Sequence, residues 1–206
     1  SGDETEQAVR DMARDDPRIE YHRHETNIGG FANFQFGLHR VSTPFFSFLS
    51  DDDVLLPHFY EVALAGFGDH PDAMFSGAMT VDVDASGAIL RVPQMWGLTE
   101  GRHAPPDGGL SLILGTNYHW SAIVFRREVV DRVGPLSEAA GLGIDSEFVA
   151  RVGLTYPFVF TRRSCAYILR HNAKTYDTDM SVRGTYSRSA LIPEALATYL
   201  GSDCRT

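Results

Sequence analysis

Phe45-Phe46-Ser47-Phe48-Leu49 is an almost wholly apolar run that ends at once in Ser50-Asp51-Asp52-Asp53. The run reads as a strand covered on both faces. In open α/β sheets, ligands bind at the carboxyl ends of the strands. Carboxylates packed together repel, and one stays protonated unless a cation joins them. A hard divalent ion with oxygen ligands, Mg²⁺ or Mn²⁺, resolves the repulsion and commonly shares its shell with substrate phosphates. The plainer alternative is an acidic turn ahead of the helix that Pro57 opens. An EF-hand calcium loop is excluded, because the ligand spacing and the central glycine are missing.

The segments around this run alternate in type. A helix begins near Ser1 or Asp3, with Ala8, Val9 and Met12 on its apolar face, and stops at Pro17. Residues 19–24 alternate like a short strand, and Asn27-Ile28-Gly29-Gly30 is a turn. Phe31, Phe34, Leu38 and Val41 then mark one buried helix face. After Pro57, Phe59, Val62, Ala63 and Phe67 mark another. This order predicts a parallel sheet with crossover helices. Met79, Val81 and Val83 alternate with polar residues, and Ala85-Ser86-Gly87 turns the chain into Ile89-Leu90-Arg91-Val92 as a hairpin. Residues 94–109 read as a long surface loop. A strand is predicted over 121–125, helices over 127–133 and 145–152, the last strands within 157–169, and a closing helix over 187–200. One α/β domain over residues 1–206 accommodates all of it.

Composition narrows the partners. The formal net charge is −9 and no basic run offsets it, so a polyanion such as DNA or RNA would be repelled. A metal ion could still draw a phosphate-bearing small molecule into an acidic pocket. The two cysteines, Cys165 and Cys204, have no zinc-site or disulfide spacing and read as reduced thiols of a cytoplasmic protein. No apolar run approaches the ~20 residues needed to span a bilayer, and the first residues do not form a signal peptide.

The motifs resemble family-2 glycosyltransferases of the GT-A fold. Phe48-Leu49-Ser50-Asp51-Asp52-Asp53-Val54-Leu55-Leu56-Pro57 is similar to the family's D-x-D segment, and Asn27-Ile28-Gly29-Gly30 with Asn33 to its Asn-x-Gly turn. Ser1, Asp3 and Thr5 resemble the end of its Ser-x-Asp-x-Thr motif. Phe125 to Val130 with Val133-Gly134, then Gly143-Ile144-Asp145, resemble its second half. His171 stands where a late metal-binding histidine often does. Two positions depart from the pattern: Ser50 replaces the first aspartate, and Ile144 replaces the glutamate of Glu-Asp.

The resemblance implies a GT-A-type, Rossmann-like, mostly parallel mixed sheet flanked by helices. It also implies that this chain lacks the family's first strand-helix-strand, the portion that holds the nucleotide base, as a fragment or an incomplete gene product would. The activity implied is inverting, metal-dependent transfer of a sugar from a UDP- or dTDP-linked donor to a hydroxyl of a sugar, lipid or protein. Asp52 and His171 would hold Mn²⁺ or Mg²⁺, with Asp51, Asp53, Asn27 and Asn33 at the nucleotide. Asp145 would be the general base, with Glu147 the next carboxylate to consider. Trp120 and Tyr118 could stack on an acceptor sugar.

Structural readings stand beside these roles. Asp145 could cap a helix, His171 could be a surface histidine, Trp120 and Tyr118 could pack in the core, and Asn27 and Asn33 could be turn and capping residues. His22 and His24 share a strand face that could bind metal. Two rival functions also fit: a nucleotidyltransferase, which would want a glycine-rich phosphate loop, and a non-catalytic domain that binds a sugar nucleotide or a partner.

Overall fold

The computed structural model describes residues 4–93, 97–115 and 119–170. In chain order the elements are α1 (Thr5–Asp15), α2 (Gly29–Arg40), β1 (Phe45–Phe46), β2 (Val54–Leu55), α3 (Phe59–Asp69), β3 (Phe75–Val83), β4 (Ile89–Arg91), β5 (Gly101–His103), α4 (Asp107–Gly115), β6 (Ile123–Arg126), α5 (Glu128–Val133), α6 (Ile144–Thr155) and β7 (Phe158–Leu169). Short 3₁₀ turns at Trp120–Ala122 and Glu138–Gly143 lead into β6 and α6.

The strands form one sheet in the order β1-β6-β3-β7-β2, with β4 beside β3 and β5 beside β7. Its axis is the long parallel pair β3–β7, in register from Phe75↔Phe158 to Val83↔Leu169. The register shifts between Ala78 and Thr80, where β7 bends and changes its outer neighbour. Before the bend Phe158 to Phe160 pair with β5, and after it Ala166 and Tyr167 pair with β2.

Side chains on β6 and β7 alternate between two cores, as period-two strands require. Ile123, Phe125, Phe158 and Phe160 join Leu38, Phe48, Trp120, Phe148 and Val152 on one face. Val124, Val159 and Ala166 join Phe59, Ala63 and Phe67 of α3 on the other. The apolar faces expected of α2 and α3 are the ones used.

Several expectations are corrected. The sheet is mixed as expected but not mostly parallel: among the described strands only β3 and β7 run parallel, and every other pair is antiparallel. The buried strand before the aspartates forms ladder bonds only at Phe45 and Phe46, antiparallel to β6. Residues 19–24 are not a strand: among the described residues none pairs with them in a ladder. Helix α1 buries none of its residues. The loop expected over 94–109 contains β5 and the start of α4, where residues 101–103 find a ladder partner in β7 and Arg102 pairs with Asp72. The hairpin over 79–92 forms as expected, turned by Gly87 at φ 82° and by Asp84, whose carboxylate accepts from the backbone of Ser86 and Ala88. The helix expected over 187–200, and Cys204, lie outside the described residues.

Candidate functional site

The aspartates occupy a tight turn between β1 and β2, closed by the Asp53 amide donating to the Ser50 carbonyl at 3.2 Å. A turn of this kind sends successive side chains in different directions. Asp51 is exposed, Asp52 half-buried and Asp53 buried. Asp53 accepts a hydrogen bond from the Ser121 hydroxyl, which is itself fully buried at the foot of β6. Burying a carboxylate without such a donor would be costly.

The same Asp53 oxygen lies 3.9 Å from Nδ1 of His119, whose ring is partly exposed. That nitrogen is buried and has no hydrogen-bond partner. The 3₁₀ turn that follows His119 also packs against α6.

Asp145 sits in the first turn of α6 behind Gly143, which occupies the cap position. The cap role considered for Asp145 is thus corrected. Its Oδ1 accepts from the Ser146 amide at 2.7 Å and bonds no residue further along the helix. Part of Asp145 reaches solvent, yet the surrounding protein crowds its carboxyl. That burial raises its pKa above the ordinary aspartate value, against the lowering effects of the Ser146 amide and His119. A raised carboxyl pKa makes a stronger base once ionised. Glu147 is not a comparable candidate: it is 2% exposed and held by the Arg151 guanidinium through both oxygens.

Asn27 and Asn33 line one hollow of about 600 Å³, together with Thr5 and residues 21–30. Asn27 also serves its turn, accepting from the Gly29 amide at 2.8 Å. A second hollow of about 340 Å³ shares His22 and Asn33 with the first and runs along α2 to Phe46, Ser47 and Phe48. The two hollows lead from the Asn27 turn to within two residues of Ser50. His22 and His24 pack against Phe36, with ring centroids 4.4 and 4.7 Å away, a packing role rather than a metal pair.

Trp120 takes the core alternative. It is 5% exposed and stacks on Phe48 at 4.3 Å, with Phe34 against it at 4.5 Å. Both neighbours cover the indole, which leaves no face of it for an acceptor sugar. Tyr118 and His171 lie outside the described residues. Among the described residues no three His, Cys, Asp or Glu side chains converge on one point as a metal cage. What the turn offers is a pair of more open carboxylates, Asp51 and Asp52. That donor set suits Mg²⁺ or Mn²⁺, which typically bind through one or two carboxylates and complete their shell with water and substrate phosphates.

Sequence reasoning missed His119 and Ser121. Ser121 was read only as the start of a strand, and nothing local ties it to Asp53, 68 positions earlier. A histidine beside a predicted strand that meets the aspartates in the sheet was the one available signal.

Solved structures with the same fold are S. aureus TarS 1–349 proteins. The complex with UDP matches with a TM-score of 0.64 at 18% identity, covering 97% of this chain and 59% of that one. TarS 1–349 itself gives 0.61 at 16% identity, covering 82% and 48%. The complex with UDP-GlcNAc gives 0.61 at 17%, covering 86% and 49%. This chain thus spans about half the length of those structures. At these identities the likeness shows the fold, the GT-A type, with a mixed sheet flanked by helices. No curated protein sequence matches the chain. The family-level match runs over residues 1–134, which include the Asn27 turn, the aspartate turn and the His119–Ser121 segment. The chain belongs to glycosyl transferase family 2.

Proposed function

We propose that the protein transfers a sugar from a nucleoside-diphosphate donor to an acceptor hydroxyl, with inversion at the anomeric carbon and Asp145 as the general base. The observation that carries this reading is that two carboxylates of the motif-bearing segments sit in unlike environments. Asp53 is buried and hydrogen-bonded on the aspartate turn, whereas Asp145 at the head of α6 has its pKa raised by burial. Two carboxylates in different environments divide the labour of structure and proton transfer.

Asp145 takes the proton of the acceptor hydroxyl as that oxygen attacks the anomeric carbon on the face opposite the leaving diphosphate. A positioned base contributes roughly 10²–10⁴ in rate. Asp52, with His171, would hold the divalent ion; when bound, it neutralises charge on the departing diphosphate. Asp51 and Asp53 would assist at the ribose or through water, and Asn27 and Asn33 would line the nucleotide side. UDP is the favoured nucleotide, because TarS structures carry UDP and UDP-GlcNAc; dTDP is the alternative. The acceptor would be a hydroxyl on a sugar, lipid or protein. Among the described residues no helix is long and apolar enough to cross a membrane.

Hydrolysis of UDP-GlcNAc with and without Mn²⁺ tests this reading against its rivals. A transferase releases UDP in a Mn²⁺-dependent manner. Binding without turnover would favour a non-catalytic domain, and diphosphate exchange into a sugar phosphate would favour a nucleotidyltransferase.

A further inference from the structure

We propose that His119 is a donor-binding residue of this site: its imidazole, oriented by Asp53, presents Nε2 as a hydrogen-bond acceptor to a hydroxyl of the transferred sugar. The inference rests on the proposed nucleoside-diphosphate-sugar donor and adds a contact to it. His119 Nδ1 is buried without a hydrogen-bond partner among the described residues, and such a nitrogen calls for an explanation. It faces Asp53 Oδ2 at 3.9 Å, a gap that a small ring rotation or one bridging water closes. That oxygen already accepts from the hydroxyl of Ser121, itself fully buried, so the ring meets a fixed acceptor. A carboxylate accepts and does not donate, so the nitrogen facing it is the one that carries the proton. In the neutral ring Nε2 then holds the lone pair.

The surroundings decide what that lone pair can meet. The His119 side chain is 28% exposed, and with Nδ1 covered the open part is the ring edge that bears Nε2. The backbone beneath it is held. The His119 carbonyl accepts from the Ala122 amide at 3.1 Å, closing the 3₁₀ turn, and Trp120 and Ser121 within that turn are buried. Asp53 shares its own turn with the more open Asp51 and Asp52, the side proposed for the diphosphate, while Asn27 and Asn33 line the hollow proposed for the nucleotide. The sugar is bonded directly to the diphosphate, so an acceptor one side chain away from the aspartate turn meets the sugar. Sugar hydroxyls can donate to a nitrogen lone pair, whereas ionised phosphate oxygens only accept and are repelled by it. The Asp53–His119 pair therefore selects a hydroxyl, through tautomer and orientation, and needs no charge on the ring.

The test compares, by calorimetry with Mn²⁺ present, the binding of UDP, of UDP-GlcNAc and of UDP-GlcNAc analogues that each lack one sugar hydroxyl. In parallel, ¹⁵N NMR of the His119 ring reads its tautomer without donor, and the proton should sit on Nδ1. His119→Phe keeps a flat ring and removes both nitrogens. It should bind UDP as wild type does and UDP-GlcNAc roughly five- to tenfold more weakly, the usual worth of one hydrogen bond. One deoxy analogue should bind wild type more weakly by the same factor yet lose nothing further in His119→Phe, a coupling that a purely structural loss would not show. His119→Gln, whose amide can donate to Asp53 and accept from the sugar, should recover part of the loss. Equal weakening of UDP and UDP-GlcNAc, no deoxy analogue coupled to His119, or a neutral ring protonated on Nε2 would overturn the inference while leaving the transferase reading intact. Wild type that binds neither UDP nor UDP-GlcNAc would instead sink the donor reading, and this contact with it.

Discussion

Asp145 carries opposite consequences for turnover and for stability. A folded-state pKa above the unfolded value means that the folded protein holds the proton more tightly. Stability from this group is therefore full in acid and falls as pH rises past the unfolded value of about 4 through the raised folded value. Asparagine has no such titration. Asp145→Asn should melt no lower than wild type at neutral pH, and the difference should shrink toward pH 3.5 in thermal melts at both pH values. Its transfer rate should nonetheless drop by roughly 10²–10⁴. Ser121→Ala has the reverse profile. It removes the donor to a carboxylate whose side chain is 2% exposed and should cost about 1–3 kcal/mol in denaturant unfolding. The sequence made the carboxylates visible but not their division of labour. Which aspartate of Asp51-Asp52-Asp53 turns inward depends on the Ser50 turn and on Ser121, a partner supplied by a distant strand. The capping alternative for Asp145 failed by two residues, because α6 starts at Ile144 behind Gly143.

At the level of elements, α6 is held in place by contacts with no tolerance for added volume. A Cβ built at Gly109 of α4 would lie 2.3 Å from the Leu154 amide nitrogen, and one at Gly153 would lie 3.3 Å from the Gly109 Cα. The two backbones touch, and that close approach sets the position of the helix whose first turn presents Asp145. Gly109→Ala should destabilise the fold by at least about 1–3 kcal/mol, read from the denaturant midpoint, since backbone rather than a flexible side-chain tip must move. Helices α2 and α3 were legible because their apolar spacing is unbroken. The three-residue β5 around Arg102 was not, because its strand depends on pairing with β7, and its Arg102 on Asp72, 30 positions away. Residues 19–24 show the converse: local alternation gives a strand only where a neighbour completes the ladder. The expected parallel character was overestimated for a similar reason, since strand direction is set by which neighbours meet and not by any one segment.

For the molecule as a whole, the sheet collects the site from segments spread along the chain. The turn after β1 meets the lead into β6 through Asp53 and Ser121, and that lead in turn packs against α6. Asp52, half-buried on that turn, is the residue proposed for the metal. Asp52→Asn keeps the side-chain shape and removes the charge, so calorimetry should show Mn²⁺-dependent UDP binding lost while the melting curve is kept. Mn²⁺ affinity like that of wild type would move the ligand assignment elsewhere.

Inverting transfer is the claim on which the remaining roles depend, and the anomeric configuration of the product reports it directly. Hydrolysis of α-linked UDP-GlcNAc, followed by ¹H NMR at the anomeric proton before mutarotation, should give the β sugar first. Release of the α sugar first, or no hydrolysis by folded protein in the presence of Mn²⁺, would contradict a single displacement assisted by Asp145.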